Sequence, residues 1–153
     1  MLTSPQPHPV VTLRSKQARR VRQGHPWAYS NELLIDQAAK ALPAGTMVTL
    51  RDEGGEALGT WMFNPHTLIA ARKLSDRADV EIDAAFLRTR LESALELRDR
   101  LFDRPFYRLV HAEADGLPGL IIDRFGDTLV IQPNTAGIDG VEGHLMTALE
   151  DLL

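Results

Sequence analysis

Five basic residues lie within a short stretch near the N-terminus, and no acidic residue occurs before Glu32. The segment Gly24-His25-Pro26 and two aromatic residues, Trp27 and Tyr29, follow directly. Cations bind phosphate groups, a glycine lets the backbone approach a strand, and aromatic rings stack on unpaired bases. The pattern is therefore typical of RNA recognition. The five basic residues are Arg14, Lys16, Arg19, Arg20 and Arg22.

The same stretch also has a purely structural interpretation, in which the cations form a solvated helix face and Trp27 and Tyr29 belong to the core. Large aromatic residues dominate small cores, so a core position is expected for Trp27. The clustered positive charges favour the RNA-binding interpretation, because like charges this close repel one another unless a partner screens them. Residues 1–31 hold five of the 17 basic residues and none of the 21 acidic ones, although the whole chain has a net charge of −4.

The motif HAEADG places His111, Glu113 and Asp115 at alternate positions. On a strand the three side chains would share one face and could bind a divalent metal or act as acid and base. Alternatively, the strand ends in an Asp115-Gly116 turn that is needed only for its backbone geometry. The turn is favoured, because one strand offers few ligands and no second cluster is visible. A zinc-deaminase site is excluded, since its P-C-x-x-C partner needs cysteine and the chain has none.

The segment GIDGVEG follows an apolar run and precedes an amphipathic one. Its G-x-x-G-x-x-G spacing differs from the dinucleotide and P-loop fingerprints, so the flexible start of a helix is favoured over a phosphate loop. No cofactor site and no metal site is predicted for this chain.

The composition of the 153 residues, 44% hydrophobic and 25% charged, is that of a globular protein. The absence of cysteine excludes disulfides, thiolate zinc sites and a cysteine nucleophile from this chain. The N-terminus has no signal-peptide pattern, and no apolar run reaches the roughly 20 residues of a membrane span. A cytoplasmic location is expected.

The chemistry-bearing residues must be positioned by two kinds of structure. Up to about residue 74, short strands alternate with Gly/Pro turns, and one short helix ends at Gly24, which predicts a small β-barrel. A polar boundary follows, then a helix over about 84–102 with Asp83 as its N-cap, and then a β-meander. The fold class predicted is α+β, with domains at 1–74 and 75–153.

The chain is expected to close on a helix with one apolar stripe, formed by Val141, Leu145, Leu149 and Leu152. An apolar helix that stops without a polar cap is unusual at a natural terminus, which predicts that the second domain is incomplete.

Two sets of residues resemble a known family. They are GHPWAYSNE with GTWMFNPHTLIAARKL, and YRLVHAEADGLPGLIIDRFGDTLVIQ, of which the run Glu113 to Asp127 is the most specific. The chain thereby resembles bacterial SAM-dependent methyltransferases that form 5-methylcytosine in large-subunit rRNA. Members of that family begin with a PUA RNA-binding domain, continue through a small α+β domain and end in a Rossmann-like catalytic domain.

The resemblance covers nearly all of the chain and implies a PUA-like domain at 1–74 and a central domain at 75–153. It implies rRNA as the partner, no membrane, and admits a homodimer. Asn64 and Pro65 would lie in a later turn that also matches the family pattern. The residues implied to face RNA are Lys16, Arg19, Arg20, Arg22, Gly24 and His25.

For the full-length parent the resemblance implies SAM as the cofactor. This chain departs from the family pattern, because it contains no SAM-binding glycine loop, no Asp-Pro-Pro motif and no catalytic cysteine. Cytosine C5 methylation needs that thiolate, so the chain alone is not expected to catalyse it.

The leading hypothesis is an RNA-binding portion of such an enzyme, which docks rRNA for a separate catalytic domain. A stand-alone PUA-type RNA-binding adapter without catalysis is the first alternative. The second is a protein-interaction module without an RNA role, which would dock through Leu145, Leu149 and Leu152.

Overall fold

The computed structural model describes residues 6–153. The chain divides into two compact units, Met1–Glu81 and Ile82–Leu153. Both units combine strands with helices, and the predicted α+β class is confirmed. The domain boundary near residue 74 stays a prediction.

The first unit is built on one six-stranded mixed sheet with the strand order β2-β6-β5-β4-β1-β3. Strands β1 and β4 pair in parallel, whereas the other neighbours are antiparallel. Two short helices and a 3-10 turn, Ser30–Glu32, connect the strands. The bounds are β1 Val10–Leu13, α1 Ala18–Arg22, β2 Trp27–Tyr29, β3 Leu33–Leu34, α2 Gln37–Ala41, β4 Thr46–Arg51, β5 Ala57–Phe63 and β6 Ile69–Ser75.

The core of this unit lies on the sheet around Trp61 and Phe63, which are fully buried. The indole N–H of Trp61 donates to the carbonyl of Leu58 at 2.9 Å, so the buried ring keeps its hydrogen bond. Helix α1 contributes Ala18 and Val21 to the same core. Because these two residues are three apart, they share one helix face and leave the arginines of α1 on the others.

The polar segment that follows β6 is hydrogen-bonded to the sheet of the first unit and to the residues before it. The Asp79 carboxylate accepts the backbone N–H of His8 and the hydroxyl of Thr49, each at 2.9 Å. The hydroxyl of Thr60 donates to the carbonyl of Arg77 at 2.8 Å and accepts the N–H of Val80 at 3.0 Å. The His8 N–H, followed by the Thr49 hydroxyl, holds the pKa of Asp79 below its usual value.

The second unit packs a long helix against a three-stranded antiparallel meander, in the order β7-β8-β9 that the sequence predicts. The predicted N-cap is confirmed, since the Asp83 carboxylate accepts the Phe86 N–H at 2.8 Å. The bounds are α3 Ala84–Leu101, β7 Phe106–His111, β8 Leu120–Phe125, β9 Thr128–Pro133, α4 Ala136–Asp139 and α5 Glu142–Leu152.

Helices α3 and α5 bury their apolar stripes within this unit. Leu145 and Leu149 are only 2% and 4% exposed, and Leu152 is half-buried. The hypothesis that these leucines form an exposed docking face is therefore wrong, because α3 already covers them. Across residues 6–153, no helix is both long and apolar enough to cross a bilayer.

The Asp79 contacts generate a pH prediction. Asp79→Asn should lower the urea midpoint of unfolding at pH 7, because an amide oxygen is a weaker acceptor than the carboxylate. The pKa of Asp79 is lower in the folded state than in the unfolded chain. Its contribution to the free energy of unfolding is therefore complete above the unfolded-state pKa of about 4, and it is lost as the pH falls through the lower folded-state pKa. We expect the wild type and the variant to converge in urea titrations as the pH is lowered toward 2. A difference between the two urea midpoints that stays constant as the pH is lowered would contradict this role of the Asp79 carboxylate.

Candidate nucleic-acid interface

An open groove of about 370 Å³ lies beside helix α1 in the first unit. Four of the five N-terminal cations line it together with two acidic residues, so the structure gathers most of the predicted basic cluster on one surface. We call this surface the basic groove. Its lining residues are Arg14, Lys16, Ala18, Arg19, Arg22, Gln23, Asp52 and Glu53.

A tight turn and the short helix position these cations. The N–H of Gln17 donates to the Arg14 carbonyl at 3.1 Å and closes the turn, in which Lys16 adopts a left-handed backbone with φ of 66°. Such a conformation costs energy for a residue with a side chain and clusters at functional sites. Lys16 and Arg19 are exposed, and neither forms an ion pair with any residue from 6 to 153.

Arg22 is held at the groove by two carboxylates of the first unit. Its guanidinium contacts the Asp52 carboxylate and lies 2.9 Å from a Glu56 oxygen. Asp52 in turn accepts the backbone N–H of Glu56 at 2.8 Å. That hydrogen bond, followed by the charge of Arg22, holds the pKa of Asp52 below its usual value. The protein itself therefore screens part of the charge that predicted an external partner.

Arg20 and His25 lie away from the groove lining. Arg20 is 3.3 Å from the buried carboxylate of Glu32, and its guanidinium donates to His25 Nε2 at 3.0 Å. His25 Nδ1 lies 3.1 Å from the Trp27 carbonyl oxygen and 3.2 Å from the Trp27 backbone nitrogen, so the imidazole is held against the start of β2. Half of the six predicted RNA-facing residues thus line the groove, namely Lys16, Arg19 and Arg22.

Gly24 ends helix α1 as the sequence predicts. Its φ is 92°, and the N–H groups of Gly24 and His25 bond back to the carbonyls of Val21 and Arg20, both at 3.0 Å. A Cβ at Gly24 would meet no atom within 4 Å, so the glycine serves the backbone conformation. Asn64 lies in a turn and accepts the His66 N–H at 3.0 Å; neither Asn64 nor Pro65 lines the groove.

The core position expected for Trp27 is wrong. Strand β2 is an edge strand, and Ala28 occupies its inward position with no exposed surface. Trp27 and Tyr29 point to the opposite face and remain half-buried, because successive side chains of a strand alternate. Trp61 fills the core instead. The small residue between the two aromatics was the sequence signal for this arrangement.

The HAEADG motif does not form a strand throughout. Strand β7 ends at His111, and Ala112–Asp115 forms a 3-10 turn, so the three polar residues do not share a strand face. The Asp115 carboxylate accepts two N–H groups of Arg98, at 2.6 and 2.8 Å, and the backbone N–H of His111 at 2.6 Å. Within residues 6–153, no group of three or more His, Asp or Glu residues is arranged to hold a metal ion. Asp115 therefore acts as a structural acceptor.

Comparison with known proteins agrees with the fold. Residues 11–76 match the PUA-like domain family, so the first unit contains a PUA-like domain. The chain is 32% identical over 146 residues to "Ribosomal RNA large subunit methyltransferase I" of Alteromonas mediterranea. The matched region covers 94% of the chain and 36% of that protein. The protein of the same name from Erwinia tasmaniensis is 40% identical over 129 residues, 82% of the chain.

A solved structure shows the same fold. A protein from Streptococcus mutans, described as a candidate SAM-dependent methyltransferase, superposes over 94% of the chain with a TM-score of 0.78 and 14% identity. The chain spans about a third of the length of these relatives. The predicted resemblance to the rRNA methyltransferase family is confirmed over the region that the chain covers.

The Arg98–Asp115 pair generates a stability prediction. The two side chains are only 12% and 6% exposed, so Arg98→Ala leaves a carboxylate buried without its ionic partner. We expect the free energy of unfolding to fall by about 3–5 kcal/mol in urea titrations.

The matched control for this pair is Arg108→Ala. Arg108 pairs with Asp123 across two strands, and the side chains are 47% and 30% exposed. Solvent screens that pair, so a much smaller loss is expected. Equal losses in the two variants would contradict the structural role of Asp115.

Proposed function

We propose that the chain binds ribosomal RNA through the basic groove. The observation that carries this proposal is the convergence of Arg14, Lys16, Arg19 and Arg22 on one open surface of a PUA-like domain. A groove of cations follows a phosphate backbone without reading its sequence. The groove therefore positions the RNA.

The cations of the groove contribute unequally. Arg14, Lys16 and Arg19 are exposed and have no ion pair in the described chain, so none of them must leave a carboxylate partner to bind a phosphate. Arg22 must share its guanidinium between RNA and the two carboxylates that hold it. Arg20 and His25 support the surface through their mutual hydrogen bond. Arg14, Lys16 and Arg19 thus carry the largest phosphate contribution. Gly24 permits close approach at the helix end.

The larger protein is proposed to be a SAM-dependent methyltransferase that acts on cytosine C5 of large-subunit rRNA. Relatives that carry the name of an rRNA methyltransferase support this proposal, since they match along most of the chain. In this proposal the PUA-like domain at 1–74 docks the rRNA, and the domain at 75–153 supports a Rossmann-like catalytic domain. A cytoplasmic location and a homodimer belong to the same proposal.

No SAM contact is assigned to this chain. A nucleoside cofactor needs apolar walls, and the basic groove offers only one apolar side chain, Ala18, among charged and polar neighbours. The groove residues therefore do not fit the cofactor. They fit a polyanion.

The proposal predicts a change in the salt dependence of RNA binding. Lys16→Ala and Arg19→Ala should each weaken binding of a single-stranded oligoribonucleotide and reduce the slope of log K against log salt by about 0.7–1. Each substitution removes one cation that displaces a counterion from the RNA. Fluorescence anisotropy of labelled RNA at several salt concentrations gives the slope.

Lys40→Ala is the matched control, because Lys40 is an exposed cation of the same unit that does not line the groove. It removes the same charge and should leave the slope nearly unchanged. Equal slopes for all three variants and the wild type would refute RNA binding at the groove.

A further inference from the structure

A second surface lies beside helix α1, apart from the residues that line the basic groove. His25, Trp27 and Tyr29 occupy alternate positions on and just before edge strand β2, and each ring contacts the next one in the chain. Arg20 lies over the Tyr29 ring with 5.3 Å to its centroid, and Arg72 lies over the Trp27 ring at 5.4 Å. We call these five residues the ring row.

The rings of the row do not stack on one another. The centroids of His25 and Trp27 are 6.2 Å apart with an interplanar angle of 74°, and those of Trp27 and Tyr29 are 6.5 Å apart at 88°. Each contact is edge to face. No ring is stacked in parallel on its neighbour, so the row combines aromatic rings with guanidinium planes on a half-buried surface.

The placement of the row is fixed by the sheet. Ala28 points inward and has no exposed surface, which turns Trp27 and Tyr29 outward. Trp27 lies directly opposite Arg72 of β6, so the cation–ring contact is a cross-strand pair. The Glu32 carboxylate accepts the Tyr29 N–H at 3.0 Å and lies 3.3 Å from Arg20. Glu32 thus holds Arg20 at the Tyr29 ring, and the strand pairing positions Arg72 at the Trp27 ring.

We propose that the ring row binds unpaired nucleobases of the RNA whose phosphates lie in the basic groove. Unpaired bases stack on aromatic rings and on arginine guanidinium planes, and the row offers both. This inference rests on the proposed RNA-binding function and adds the class of substrate: single-stranded or looped RNA is preferred to a continuous duplex, whose bases are already stacked and paired.

The two surfaces are arranged to act together. Arg19 and Arg22 line the groove, while Arg20 of the same short helix contacts the row. Since α1 with its side chains is only about 10 Å across, a strand of RNA can place phosphates in the groove and bases at the ring row. A duplex can use the groove alone.

The chain contains two tryptophans, which supplies a direct optical test. Trp61 has no exposed surface, so ligand-dependent fluorescence changes report on Trp27. We would titrate the full chain with three probes: a single-stranded oligoribonucleotide of about 12 nucleotides, the same strand paired with its complement, and inorganic polyphosphate of similar charge. Quenching is expected with the single strand and not with saturating duplex or polyphosphate.

Substitution of Trp27 gives the energetic test. Trp27→Leu should weaken single-strand binding about 5- to 150-fold, the equivalent of one lost base stack. Duplex binding should remain within about twofold of the wild type, because phosphate contacts are kept. Trp27→Phe retains an aromatic ring and should recover most of the single-strand affinity. Urea unfolding of each variant shows that the fold is intact.

The outcomes separate the two proposals. If single strand, duplex and polyphosphate all bind but Trp27→Leu changes none of the affinities, the base site is refuted and the groove remains. If the single strand binds without quenching Trp27, the base site is likewise refuted. If no RNA binds at low salt, the proposed function itself fails, and the base site fails with it.

Discussion

The packing of helix α1 onto the sheet is the contact on which the proposed RNA surface depends. A helix of five residues is not stable by itself, so its orientation is set by Ala18 and Val21, which are buried in the core of the first unit. Gly24 then ends the helix in a left-handed conformation. With these points fixed, Arg19 and Arg22 reach the groove while Arg20 reaches the ring row.

Electrostatics explains how an acidic chain maintains a basic groove. The carboxylates of Asp52 and Glu56 hold Arg22, and the buried Glu32 holds Arg20, so two of the clustered charges are compensated within the fold. The remaining cations stay exposed to solvent. This division lowers the repulsion within the cluster, and it leaves charge available for a polyanion at Lys16 and Arg19.

Local patterns predicted the elements well. The 3.6-residue period and the Asp83 cap gave helix α3, and alternating runs between glycine turns gave the meander. The features that were not predicted depend on contacts between residues far apart in the sequence. The sequence could not show that Trp61 rather than Trp27 fills the core, or that Asp115 receives Arg98 from 17 positions away. It could not show that Asp52, just beyond strand β4, would meet Arg22 of helix α1, since the two residues are 30 positions apart.

Among the site residues, the cation cluster was found because its signal is compositional. Arg72 was missed, since a single arginine within strand β6 carries no local signal; only its pairing with Trp27 across two strands places it at the surface. The most direct test of the central claim is a titration of the ¹⁵N-labelled chain with single-stranded RNA, followed by NMR. We expect the largest amide shifts between residues 14 and 25. Shifts confined to residues 82–153 would contradict binding at the groove.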